Sequence, residues 1–404
     1  MTDIIELFSG IGIIIDDALN IENEKHHDDI FKIKKNLEKK GILLLTFSSI
    51  PDNHQMLHLK NINFILLDWE LTEVSSTELF KDNIEFLIEM KKISFCPIFI
   101  FSKNSPDYIK PILIENGLYV EDKCNYIFVK QKSDLLRNDQ GENDENLIFT
   151  EIEKWVKSTA SVYVLKEWER SLNNAKRDLF WDFYNISPNW VKILNKTYDD
   201  DGTSSYHELS DCIYKNIIAR TTPSAIDKSI FETDSDRISK DEIRKVLEGT
   251  LLLKNERLPD NPFSGDVFKE ENPEAQTGFS YFINIRPDCD ILRKSNPVLY
   301  CLKGRVIDEG KINSEHDDSI IFDKGSFREK ICSTYVSFID EGKIIEFLFN
   351  DIKPKKWNDL KNKRIGRLLP PYITKLQQRF AFYLHRQGIP GIPEEAIIEA
   401  DTTT

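Results

Sequence analysis

The chain has 404 residues, of which 40% are hydrophobic and 30% charged, and a formal net charge of −14. Its length suits two or three packed domains. Its acidity argues against indiscriminate binding to nucleic acid, and no apolar run reaches the length of a membrane span. Six cysteines (Cys96, Cys124, Cys212, Cys289, Cys301 and Cys332) occur without a CxxC pair. That usage predicts reduced thiols rather than a disulfide framework or a structural zinc site. The first residues lack a basic segment followed by an apolar one, so no secretory signal is expected and a cytoplasmic location is.

In chain order, Ile11–Ile15 reads as a short strand that ends in Asp16 and Asp17. Residues 30–40 carry Ile30, Ile33 and Leu37 at helical spacing, and residues 42–47 read as a strand. Residues 51–59 are ambiguous. The run Phe64–Leu67 is uniformly apolar, as strands of a parallel sheet covered on both faces are, and stops at Asp68, Trp69 and Glu70. A helix is predicted over 79–90, then a strand over 97–101 that ends in Ser102 and Lys103. A second helix over 106–116 is closed by Gly117, and a last strand over 126–129 ends in Lys130.

This alternation predicts an α/β fold, a five-stranded doubly wound parallel sheet with right-handed crossovers. Ligands in such sheets gather at the carboxyl ends of the strands. The strand ends here offer acids, a hydroxyl and a lysine. Acids suit Mg²⁺, a hard cation that seeks oxygen, and a lysine with a hydroxyl suits phosphoryl oxygens. The candidate metal ligands are Asp16, Asp17, Asp68 and Glu70; Ser102 and Lys130 are the candidate phosphoryl contacts.

The order Asp16-Asp17, Asp68, Ser102, Lys130 over five βα units resembles the receiver domain of bacterial response regulators. The resemblance covers about a third of the chain. It implies that Asp68 is the phosphoacceptor, that Asp16 and Asp17 help hold Mg²⁺, that Ser102 is the switch hydroxyl and that Lys130 contacts the phosphoryl group. It also implies a sensor histidine kinase as partner. Four positions depart from the family pattern. Thr72 and Gln131 stand where proline is usual, Ile127 stands where an aromatic switch residue is expected, and Lys103 stands where a small residue is common. These departures put coupling by aromatic rotation, and the rate of phosphate turnover, in question.

Residues 131–146 read as a polar linker. Residues 147–184 read as one long or broken helix whose aromatic stripe packs within the chain or forms a homodimer contact. The run Asp199-Asp200-Asp201 reads as a solvated turn rather than a cation loop. Ser239 with Glu242 marks a capping box, and Asp340-Glu341-Gly342 marks a hairpin turn. From Phe279 onward strands dominate. The expected organisation is a receiver-like domain over 1–135, a helical connector over 147–260 and an α+β output domain over 261–404.

A response regulator in a phosphorelay is the expected function, with the output unassigned. Atypical receivers joined to long unassigned regions are similar to those of bacterial conflict and anti-phage signalling modules. One alternative is a receiver-gated enzyme with Asp288, Cys289, Asp290 or the basic patch in its site; a thiolate there needs a partnering base, and the nearest histidine in sequence, His316, lies in an acidic loop. Another is a non-catalytic phosphate sink or adaptor. The basic stretch over 353–379 is read either as a surface for phosphate, nucleic acid or an acidic partner, or as neutralising acids within the fold.

Overall fold

The computed structural model describes residues 8, 10–19, 29–71, 77–121, 125–137, 141–200, 205–221, 231, 238–275, 277–307, 321–322 and 332–386. Cys124, Asp139, Gln140, Thr72, Asp201 and His316 lie outside the described residues. Contacts divide the chain into one unit of residues 1–188 with 213–233, and a second of residues 189–212 with 234–404.

In the first unit the strands are β1 (Ile11–Ile15), β2 (Leu43–Phe47), β3 (Phe64–Leu67), β4 (Ile98–Ser102) and β5 (Ile127–Gln131). They form a five-stranded sheet in the order β2-β1-β3-β4-β5, and every pair is parallel. The order reverses between β1 and β3, which opens a crevice at their carboxyl ends. The helices are α1 (Asp29–Lys39), α2 (Thr77–Ile93), α3 (Pro106–Glu115), α4 (Leu147–Ser158) and α5 (Ala160–Ile186).

Strand side chains alternate between two cores. Ile14, Phe64, Leu66, Phe99 and Phe101 pack with Ile30, Ile33 and Leu37 of α1 and with Ile148, Ile152 and Trp155 of α4. Ile13, Ile15, Ile65, Leu67, Ile100 and Val129 face α2 and α3. Gly12 fits this pattern for a steric reason, since a Cβ there would lie 2.1 Å from the Phe64 ring. Ser105 caps α3, with Pro106 beside it, and Gly117 follows at φ +66°. The ambiguous stretch is a helical turn, Asn53–Met56, held by a capping box between Asp52 and Gln55. The long helical stretch is broken at buried Thr159, whose non-helical backbone (φ −123°, ψ 75°) separates α4 from α5.

The second unit contains α6 (Trp190–Asp200), the first part of α7 (Ser205–Arg220), and α8 (Lys240–Leu251). An eight-stranded sheet follows. Its strands are β6 (Leu252–Lys254), β7 (Asp266–Glu271), β8 (Phe279–Asn284), β9 (Val298–Ile307), β10 (Ile321–Phe322), β11 (Ser333–Ile339), β12 (Lys343–Lys356) and β13 (Arg364–Leu368), and α9 (Tyr372–Leu384) comes last. They are ordered β10-β11-β12-β9-β8-β7-β13-β6, and each pairing is antiparallel.

Leu251 of α8 and Ile373 and Leu376 of α9 cover one face of this sheet. On the other face, Ile291, Trp357 and Leu360 pack on Phe268, Phe282 and Cys301. The Ser239 capping box forms as expected. So does the hairpin turn, where Asp340, Glu341 and Gly342 all have positive φ. Strands β6, β7 and β13 had no counterpart in the sequence reading. No described helix is long and apolar enough to cross a membrane.

Candidate functional site

The site lies at the carboxyl edge of the parallel sheet. The backbone ladder runs one residue past β1 and β3, since Asp16 N–H donates to the Phe47 carbonyl at 3.0 Å and Asp68 N–H to the Ile15 carbonyl at 2.9 Å. Both acids are thereby fixed at strand ends with their side chains buried, Asp16 fully and Asp68 to 7% exposure. Behind Asp68, Trp69 is fully buried and stacked on Phe80 at 5.6 Å. Asn83 of α2 donates to the Trp69 carbonyl at 2.7 Å, which locks the turn after the strand.

The cation of the site is Lys132. Its N–H donates to the Ser102 carbonyl at 2.9 Å, and its Nζ donates to Asp16 Oδ2 and to Asp68 Oδ2, both at 2.7 Å. The second oxygen of each carboxylate is also engaged. Asp16 Oδ1 accepts from Ala18 N–H at 3.0 Å, and Asp68 Oδ1 accepts a long bond from Glu70 N–H at 3.4 Å.

Lys130 lies elsewhere, and the strand's length gives the reason. β5 continues to Gln131, so Lys130 is inside the strand, and its ammonium pairs with Glu151 of α4 at 2.9 Å. Lys132 follows the strand end in helical backbone conformation, and it is 2% exposed.

Burial sets the electrostatics. It raises the Asp68 carboxyl to about 7, with Asp16 adding to the rise and Lys132 and the Glu70 amide opposing it. Asp17, half-buried, is also raised by burial and by Asp16. Burial disfavours the Lys132 ammonium, but Asp68 and Asp16 outweigh it and hold the proton on more firmly than usual.

Asp16, Asp17 and Asp68 each offer an oxygen, all within 4.8 Å of one another, and together could hold a metal ion. Carboxylate oxygens in that number suit a hard divalent cation. The Glu70 side chain is engaged by Asn104, whose Nδ2 donates to Glu70 Oε1 at 2.8 Å. This bond joins the segment after β3 to the one after β4. Ser102 is fully buried at the end of β4, and its Oγ accepts from Asn104 N–H at 3.2 Å. Lys103 is exposed beside it.

In the second unit, Asp288 serves the fold. Asp288 Oδ1 accepts from Ser264 N–H at 2.6 Å and so fixes that loop. Burial raises its carboxyl, against the pull of the Ser264 amide, His207 and Arg367. Cys289 is exposed, and among the described residues no hydrogen bond joins it to a histidine. Asp290 lies 3.9 Å from Arg286.

The basic stretch is largely engaged in ion pairs within the fold. Lys355 and Lys363 both pair with Glu270, at 2.6 and 2.9 Å. Arg367 and Arg364 flank fully buried Asp266 at 2.7 and 3.6 Å. Arg364 also donates to Asn255 and to the carbonyls of Asn261 and Pro259. Lys353 pairs with Asp351, and Arg379 donates to Thr334.

No family model matches the chain, and no curated protein matches it. Among solved structures, it is similar to a fusion containing the yeast Spc42 trimeric coiled coil, 15% identical, over 45% of this chain and 96% of that one, with a TM-score of 0.25. At that score the likeness carries no argument about fold or function.

Proposed function

We propose that the first unit is a phosphoacceptor module of receiver type, in which Asp68 takes a phosphoryl group from a sensor histidine kinase. The observation that carries the reading is the Lys132 ammonium, shared by Asp16 and Asp68 at 2.7 Å each beside Asp17. A carboxylate oxygen of Asp68 attacks phosphorus, the bond from phosphorus to the donor imidazole nitrogen breaks, and the imidazole leaves with that electron pair. Lys132 then bridges the acyl phosphate, and Ser102, within the same edge, donates its hydroxyl to a phosphoryl oxygen. Mg²⁺ held by Asp16, Asp17 and Asp68 would supply charge neutralisation to the phosphoryl oxygens and lower the Asp68 proton affinity. The second unit carries the response as an output body.

The test is Mg²⁺-dependent labelling of the full chain by a small phosphodonor such as acetyl phosphate, resolved by phosphate-affinity electrophoresis. Wild type and Lys130→Met should label, while Asp68→Asn should not. Labelling of Asp68→Asn equal to wild type, or a wild type that takes no label, would overturn the reading.

A further inference from the structure

In the second unit a cleft of about 320 Å³ opens between residues 260–262, residues 291–295 and Trp357. Its walls are held in place by hydrogen bonds. Arg364, 7% exposed, donates to the carbonyls of Pro259 and Asn261, and Arg367 donates to Asn261 as well, which fixes the first segment. Trp357 N–H donates to the Pro297 carbonyl and Asn358 N–H to Asn296 Oδ1, both at 3.0 Å, which ties the chain beside the second segment to the helical turn Trp357–Leu360. Pro262, Ile291 and Trp357, all buried, give the cleft an apolar side.

Arg293 and Lys294 also line the cleft. Both are exposed, and among the described residues neither pairs with an acid. The cations around them differ, since Lys355, Lys363, Arg364 and Arg367 all face acids within the fold. The Ser295 hydroxyl and the Asn261 side-chain amide, on the same lining, make no hydrogen bond among the described residues and so have donors to offer. Arg293 and Lys294 against Asp260 leave one positive charge, and Arg364 and Arg367 against Asp266 leave another. Of the charged neighbours in sequence, Glu256 and Arg257 cancel, as do Asp359 and Lys361, while Lys356 adds to the positive side. Asp290 lies 3.9 Å from Arg286. A cleft of this sign on a chain of net charge −14 concentrates anions locally.

We propose that this cleft binds a small phosphorylated molecule, whose phosphoryl oxygens accept hydrogen bonds from Arg293, Lys294 and the Ser295 hydroxyl. A guanidinium fork grips two phosphoryl oxygens at once, and an ammonium adds a point charge. The volume lies at the lower end for small-molecule sites, so it admits a phosphate ester or a diphosphate but not the body of a macromolecule. Walls already fixed by Arg364, Trp357 and Asn358 reduce the ordering that binding must impose. The site belongs to the second unit and does not depend on the phosphoacceptor reading.

The experiment is titration calorimetry of the full chain with inorganic pyrophosphate, in chelator so that no metal ion recruits the anion to Asp16 and Asp68. Wild type should bind one pyrophosphate per chain, more weakly as salt is added. Arg293→Ala combined with Lys294→Ala should weaken binding by about tenfold for each charge-assisted bond lost, with an unchanged melting temperature because both side chains are exposed. Lys353→Ala removes a lysine already paired with Asp351 and should bind as wild type does. A wild type that binds no pyrophosphate at millimolar concentration would overturn the proposal. So would a double variant that binds as tightly as wild type, or a Lys353→Ala loss as large as that of the double variant.

Discussion

Replacing Lys132 by methionine keeps the length of the side chain and removes the ammonium that Asp16 and Asp68 share. Lys132 is 2% exposed and both contacts are 2.7 Å, so two carboxylates are left facing each other in a site shielded from water. Removing one partner of a buried pair costs about 3–5 kcal/mol, which in a unit of this size lowers its melting temperature by roughly 10 °C.

The sign of the pH dependence follows from Asp68. Its folded pKa, about 7, lies above the ordinary 3.8, so its contribution to stability is complete below about 4 and is lost as pH rises through about 7. Metal-free wild type should therefore lose stability between pH 5 and pH 8. Lys132→Met should lose more over the same window, because no cation then offsets the ionised acid. Added Mg²⁺ should recover part of the loss at pH 8 in both proteins. The assay is thermal unfolding of the full chain by calorimetry at both pH values, with chelator or Mg²⁺, and Lys130→Met as comparison. Lys132→Met melting like wild type, or Lys130→Met costing as much, would refute the assignment of the buried cation.

Mg²⁺ affinity measured by titration calorimetry should climb as pH rises toward about 7, where Asp68 loses its proton, by up to about tenfold per unit; a flat profile would count against Asp68 as ligand. If the exposed side chain of Lys103, next to Ser102, covers the approach of water to a phosphoryl group on Asp68, Lys103→Ala should shorten the phosphate half-life of the labelled protein, each ~1.4 kcal/mol of barrier being worth about tenfold in rate. An unchanged half-life would leave Lys103 without a gating role. Gly265→Ala should unfold or strongly destabilise the second unit, since φ is +88° and a Cβ would lie 2.3 Å from the Leu368 carbonyl; a wild-type melting profile would contradict that packing.

The strands that periodicity found are those with apolar runs. Ile11–Ile15, Phe64–Leu67 and the strand before Ser102 are buried on both faces, and such runs are legible without tertiary information. The position of Asp16 and Asp68 at the strand ends is legible for the same reason. That of the lysine is not, because the end of β5 cannot be read from Phe128 and Val129. Lys130 continues the ladder opposite Phe101, and Gln131 opposite Ser102, so polar residues extend the strand where apolar ones had seemed to end it. The missed β7 and β13 share this cause. Arg367 stands across the ladder from Asp266 and pairs with it, so charges that looked like loop residues stabilise each other across two strands. Only the partner strand makes either one intelligible.

On the proposed phosphoacceptor reading, the charge count at the edge links metal binding to the chemistry of Asp68. When Asp16, Asp17 and Asp68 are all ionised, Lys132 leaves two negative charges uncompensated in a largely buried site. A protein can meet that cost by keeping a proton, and burial does raise both Asp68 and Asp17. A divalent cation meets it without the proton, which leaves Asp68 ionised and able to act as a nucleophile. The lysine alone therefore makes the fold tolerable but leaves Asp68 partly protonated near neutrality. Nucleophilicity at Asp68 and occupation of the metal site should rise together, with the same midpoint in Mg²⁺ concentration. Labelling by acetyl phosphate and calorimetric Mg²⁺ binding, compared at one pH, should give coincident midpoints, and labelling that saturates well below the binding curve would break this link.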